Sequence, residues 1–144
     1  MRPGTFLVDP NFTFEDGTTS KKIFITLSVA SNGIYIVAKM TSNGARYGIT
    51  HGCQISDRFP NYFLVKGSCF LKESTWIQFE TFYELTRTEL SRKITSGEIW
   101  KIGELTLEET KLLLGCCSYA EDLSGYQEEQ ITEAIKHIKD STIK

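Results

Sequence analysis

The sequence predicts an all-β core followed by an appended helical region, and three observations carry that reading. The first two-thirds of the chain holds short apolar runs rich in Ile, Phe, Val and Thr, separated by Gly, Pro, Asn and Asp turns. Ser31-Asn32-Gly33 joins two of these runs as a tight hairpin turn. The last third carries two capping-box signatures, Thr106-Leu107-Glu108-Glu109 and Ser124-Gly125-Tyr126-Gln127, each ahead of apolar residues at helical spacing. Many short strands followed by helices make a mainly β domain with C-terminal helices.

The elements follow in order. Thr5-Phe6-Leu7-Val8 is a short strand stopped by Asp9-Pro10, and Glu15-Asp16-Gly17-Thr18 is a turn. Lys22 to Val29 and Ile34 to Met40 are the two arms of the hairpin. Asn43 to Pro60 holds three glycines and little periodicity, which predicts a long irregular loop. Tyr62 to Val65 and Thr75 to Phe82 read as further strands, and Ile94 to Ile102 as a last strand or pair interrupted at Gly97. The first helix gains a core-facing side from Leu107, Leu112, Leu113 and Leu114, with Gly115 as its stop. In the second, Ile131, Ala134, Ile135 and Ile138 share one face. Small barrels of such strands close their edges on themselves.

At 144 residues with 40% hydrophobic and 24% charged residues, the chain fits one domain with its own core. Residues 1–120 form the β unit in this reading, and 121–144 an amphipathic helix packed on the same domain. No stretch approaches the roughly 20 apolar residues of a membrane span, and no apolar run followed by small residues marks a leader. A cytoplasmic location is therefore expected. Cys53, Cys69, Cys116 and Cys117 form no C-x-x-C pair, so no metal is expected, and the cysteines read as reduced, small hydrophobes.

Net charge is −2, but it is unevenly spread. Residues 18–72 hold seven basic residues against the single acid Asp57, whereas residues 73–144 hold eight basic and fourteen acidic residues. Such polarity predicts a positive face suited to phosphates.

The order of elements also resembles a known family. Gly4-Thr5-Phe6-Leu7-Val8-Asp9-Pro10 opens it, Lys21-Lys22-Ile23-Phe24-Ile25-Thr26-Leu27-Ser28 follows Gly17, and Lys39-Met40-Thr41-Ser42 ends the hairpin. After the variable loop come Phe70 to Glu80, then Gly97-Glu98-Ile99-Trp100 and Leu105 to Glu109. Over residues 4 to about 117, this is similar to the RNA-cleaving toxins known as MazF, PemK or Kid.

The resemblance implies a small SH3-like β-barrel and a toxin-type, metal-independent endoribonuclease without cofactors, part of a toxin–antitoxin module. In that chemistry a ribose 2′-hydroxyl attacks the adjacent phosphate, so a base, an acid and a cation are needed. The candidate catalytic set is Lys21, Lys22, Thr41, Ser42 and Glu80, which stand at family positions, with His51, which lies away from the family's histidine and is suited to proton transfer. Lysine stands where the family carries an arginine, and Gln78 where it carries a second. Lysine supplies a point charge without the two-pronged donor of arginine. Single-stranded RNA would lie along Lys39, Arg46, Tyr47 and Arg58, with Arg46, Tyr47 and Tyr62 as candidates to stack on unpaired bases. A homodimer and a protein antitoxin are the implied partners. The alternative is a PemK-like barrel that has lost cleavage and serves as a nucleic-acid- or protein-binding regulatory module.

Overall fold

A computed structural model describes residues 1–56, 58–69, 71–121 and 123–142. Seven strands form one sheet: β1 (Thr5–Thr13), β2 (Thr19–Thr26), β3 (Ile34–Thr41), β4 (Gly52–Gln54), β5 (Asn61–Leu64), β6 (Thr75–Thr86) and β7 (Trp100–Glu104). Their order is β4-β5-β6-β3-β2-β1-β7, and every neighbouring pair is antiparallel. The end strands β4 and β7 do not pair, so the sheet is not closed, in contrast to the expected edge-free barrel. Three helices complete the described residues: α1 (Arg87–Ser96), α2 (Leu107–Cys117) and α3 (Gly125–Thr142). Among the described residues no helix is long and apolar enough to cross a membrane.

The strands are apolar on both sides because both sides of the sheet are covered. Phe6, Ile25, Ile36, Ala38 and Ile77 pack with Leu113 and Leu114 of α2 and Ile131, Ala134 and Ile138 of α3. Their chain neighbours Leu7, Phe24, Tyr35 and Val37 point the other way, towards Leu90 of α1 and Ile99. One strand therefore supplies two cores through its two-residue alternation. Tyr47, Phe63 and Trp76 make a third, smaller cluster.

Several expectations are corrected. β1 does not stop at Asp9-Pro10 but runs on to Thr13, because a bulge between Asp9 and Phe12 takes up the proline, which has no N–H to give the ladder. The loop from Asn43 to Pro60 contains the short strand β4, paired Gly52 to Phe63 and Gln54 to Asn61. The strand expected from Ile94 is instead the end of α1. Thr86 caps that helix by accepting from the Glu89 N–H at 3.3 Å, and Gly97 closes it at φ 83°. Only Leu90 of α1 is buried, so the helix leaves no apolar period in the sequence. Gly115 does not stop α2, which continues to Cys117. The box at Ser124 forms in both directions, at 3.1 Å each. At Thr106 only the Glu109 N–H bond forms, and the Glu109 carboxylate turns elsewhere.

The cysteine reading is also corrected. Cys53 of β4 and Cys116 of α2 are joined by a disulfide across 63 residues, while Cys69 and Cys117 are free thiols.

Two glycines give opposite tests of this packing. A Cβ at Gly44 would stand 2.2 Å from the Trp76 ring, whereas one at Gly115 of α2 meets nothing within 4 Å. Gly44→Ala is expected to cost about 1–3 kcal/mol by overpacking. Gly115→Ala is expected to add about 0.5–1 kcal/mol by restricting the unfolded chain in favour of helix. Urea unfolding followed by tryptophan fluorescence, from Trp76 and Trp100, reads both.

Candidate functional site

Strand pairing assembles a cationic cleft at one end of the sheet. β2 pairs β3 with Phe24 opposite Lys39, and β3 pairs β6 with Thr41 opposite Trp76. The start of β2, the end of β3 and the approach to β6 are thereby neighbours. Between them lies a cleft of about 380 Å³, lined by Lys21, Lys22, Thr41, Ser42, Lys72 and Glu73 among others.

Lys22 is half-buried in this cleft, and its Nζ donates to the Met40 carbonyl oxygen at 3.2 Å. Burial first, and the nearby Lys39 charge second, pull the Lys22 pKa below the usual lysine value. Thr41 Oγ1 accepts from the Asn43 N–H at 3.1 Å, which fixes the turn leaving β3. Thr75 Oγ1 donates to the Glu73 carbonyl oxygen at 3.0 Å, holding the approach to β6. Lys21, Ser42, Lys72 and Glu73 are exposed at the rim. Three lysines and one glutamate thus line the same cleft.

Of the residues named from sequence, Lys21, Lys22, Thr41 and Ser42 come together, and His51 and Glu80 do not line this cleft. His51 Nδ1 accepts from the Val65 N–H at 3.1 Å, so its proton sits on Nε2, which donates to Glu109 at 3.0 Å. Tyr62 donates to the other oxygen of Glu109 at 2.5 Å. Both His51 nitrogens are thus occupied, and the ring ties the loop before β4 to β5 and α2. Glu80 accepts from Tyr47 and from Arg46, the latter at 3.0 Å.

The expected RNA-binding set is spread over different surroundings. Tyr47 is buried beside Trp76, and its hydroxyl pKa is raised by burial first and by Glu80 second. Arg46 lies 4.8 Å from the centre of the Phe59 ring, and Arg58 lies 5.3 Å from it. Arg58, Phe59, Pro60, Phe79, Glu80 and Glu121 line a second cleft of about 370 Å³. Lys39 sits over the Phe14 and Tyr83 rings at 5.1 and 5.8 Å.

Sequence reasoning missed Lys72 and Glu73 as cleft residues. Their signal lay in the pairing of Thr41 with Trp76, which a motif scan does not contain. It also missed the His51–Glu109–Tyr62 cluster, whose members are far apart in the chain. Among the described residues no three His, Cys, Asp or Glu side chains converge as a metal set. Comparison of the chain with protein-family models, with curated proteins and with solved structures finds no match.

The Tyr62–Glu109 bond has a measurable pH signature. Burial, then the Glu109 carboxylate, raise the Tyr62 pKa above its ordinary value near 10. The protonated phenol is favoured in the fold, so its stability contribution is complete below about pH 10 and is lost as pH rises further. Tyr62→Phe is expected to cost about 1.5–3 kcal/mol at pH 7. Its stability should then fall less steeply than wild type between pH 10 and 11 in denaturant titrations.

Proposed function

We propose that the lysine-lined cleft holds the phosphate of single-stranded RNA, and that the protein acts there as a metal-independent endoribonuclease of the toxin kind. The observation that supports this most is the convergence of Lys21, Lys22, Thr41 and Ser42, together with Lys72 and Glu73, on one cleft. On this reading the chain is a MazF-, PemK- or Kid-like protein with an SH3-like barrel plan. It works in the cytoplasm as a homodimer and is restrained by a protein antitoxin.

The cleft residues divide the chemistry as follows. Glu73 takes the proton of the 2′-hydroxyl, and the 2′-oxygen forms its bond to phosphorus. Lys21 and Lys72 neutralise the charge that builds on the phosphate oxygens. Lys22 gives its proton to the departing 5′-oxygen as that bond breaks, leaving a cyclic phosphate and a 5′-hydroxyl. A lysine with a lowered pKa gives up its proton more readily than an ordinary one. Thr41 and Ser42 offer hydroxyl donors at the rim.

A second reading is RNA binding without cleavage. It is favoured by the absence of any guanidinium among the cleft-lining residues, and by the engagement of both His51 and Glu80 elsewhere.

Cleavage of a defined single-stranded RNA in the presence of a chelator separates the readings. Lys22→Arg keeps the charge but is a poor proton donor. It is expected to retain RNA binding and to lose about 100-fold or more in cleavage rate. The Lys21/Lys22 double alanine should lose binding as well. Wild-type cleavage should decline with rising pH before an ordinary lysine would titrate. Binding with no cleavage across varied RNAs rejects the enzyme, and no binding rejects both readings.

A further inference from the structure

We propose that the Cys53–Cys116 bridge is a redox-operated latch, opened in the folded protein by a dithiol reductant, that sets whether the segment from Gly44 to Gln54 is fixed on the sheet. This proposal is independent of the RNA reading.

The placement of the bond carries the proposal. β4 is the outermost strand, three residues long, and among the described residues its neighbour in the sheet is β5. The disulfide is its covalent tie to α2. The residues just before it are held by hydrogen bonds, among them those joining His51 to Val65 and Glu109. Trp76 Nε1 donates to the Gly48 carbonyl oxygen at 2.7 Å, Gln54 Nε2 donates to the same oxygen at 3.0 Å, and the Thr50 N–H donates to Gln54 Oε1 at 2.9 Å. Gln54 thus transmits the position of β4 to the segment that carries Arg46 and Tyr47 to Glu80.

The two cysteines are suited to exchange. Cys53 is exposed, so a reductant has access to its side of the bond. Cys116 is buried at 2% exposure, with the Asn61 carbonyl oxygen 3.6 Å from its sulfur. Once reduced, its S–H has that acceptor, and the adjacent Cys117 is already a buried thiol.

The reaction is thiol–disulfide exchange. A thiolate of the dithiol attacks Cys53 Sγ, the S–S bond breaks, and Cys116 leaves as a thiolate that takes a proton from water. The second thiol of the reductant then releases Cys53 as a thiol, and the reductant leaves as a disulfide carrying two electrons fewer.

Hydrogen–deuterium exchange of the full chain tests this, comparing oxidised wild type, wild type treated with dithiothreitol, and Cys53→Ser. The expected result is at least ten-fold faster exchange at residues 50–54 in both reduced forms, with β1 to β3 unchanged within two-fold. Re-oxidation should restore the original rates. The proposal is overturned if exchange at residues 50–54 is the same in both redox states. It is also overturned if the bond resists dithiothreitol until denaturant unfolds the chain. The reduced wild type keeps the test valid if Cys53→Ser does not fold.

Discussion

The register break between β3 and β6 is the constraint on which the rest of the structure depends. Ala38 lies opposite Phe82, but Met40 lies opposite Ile77, so β6 advances five residues while β3 advances two. The excess of three is odd, and in a strand an odd shift exchanges the faces. Phe82 and, beyond the break, Phe79 and Ile77 can therefore all join the α2–α3 core. Gln78 and Glu80 are turned towards Tyr47. The same break brings Thr41 opposite Trp76, which sets the end of β3 beside the approach to β6 and creates the lysine cleft.

The legible parts of the fold were those written in short periods. The Ser31-Asn32-Gly33 hairpin formed where its turn residues stood, with Gly33 at φ 88°. Both C-terminal helices began at their capping residues, and the core faces of α2 and α3 include Leu113, Leu114, Ile131, Ala134 and Ile138, whereas Leu112, expected on the core side, is exposed. The illegible parts depend on contacts between distant residues. α1 buries one leucine and has no apolar stripe, β4 is three residues long, and Cys53 finds Cys116 across 63 residues. The break in β6 replaces one apolar alternation with another, so the run from Thr75 to Phe82 gives no sign of it. Of the candidate site, Lys21, Lys22, Thr41 and Ser42 were legible because adjacent strand ends carry them. His51 was not, since its role is set by Val65 and Glu109.

The charge polarity of the sequence becomes only a partial polarity in space. Lys21, Lys22 and Lys72 meet at the cleft, whereas Arg46 is engaged by Glu80 and Lys39 by aromatic rings. A surface ion pair such as Arg46–Glu80 adds little stability by itself. Its place above the buried Tyr47 hydroxyl gives it a positioning role, because both donors share one Glu80 oxygen. Lys21, Lys22 and Lys72 are thus the cations that share one cleft.

The central claim is that those three lysines hold RNA phosphates, and the salt dependence of binding tests it most directly. Each phosphate neutralised on a single strand lowers the slope of log affinity against log salt concentration by about 0.7. Fluorescence anisotropy with a labelled single-stranded RNA should give a negative slope for wild type, about −0.7 for each phosphate held, and a shallower slope in Lys72→Ala. A wild-type affinity that does not change with salt, or a Lys72→Ala slope equal to that of wild type, would contradict the account.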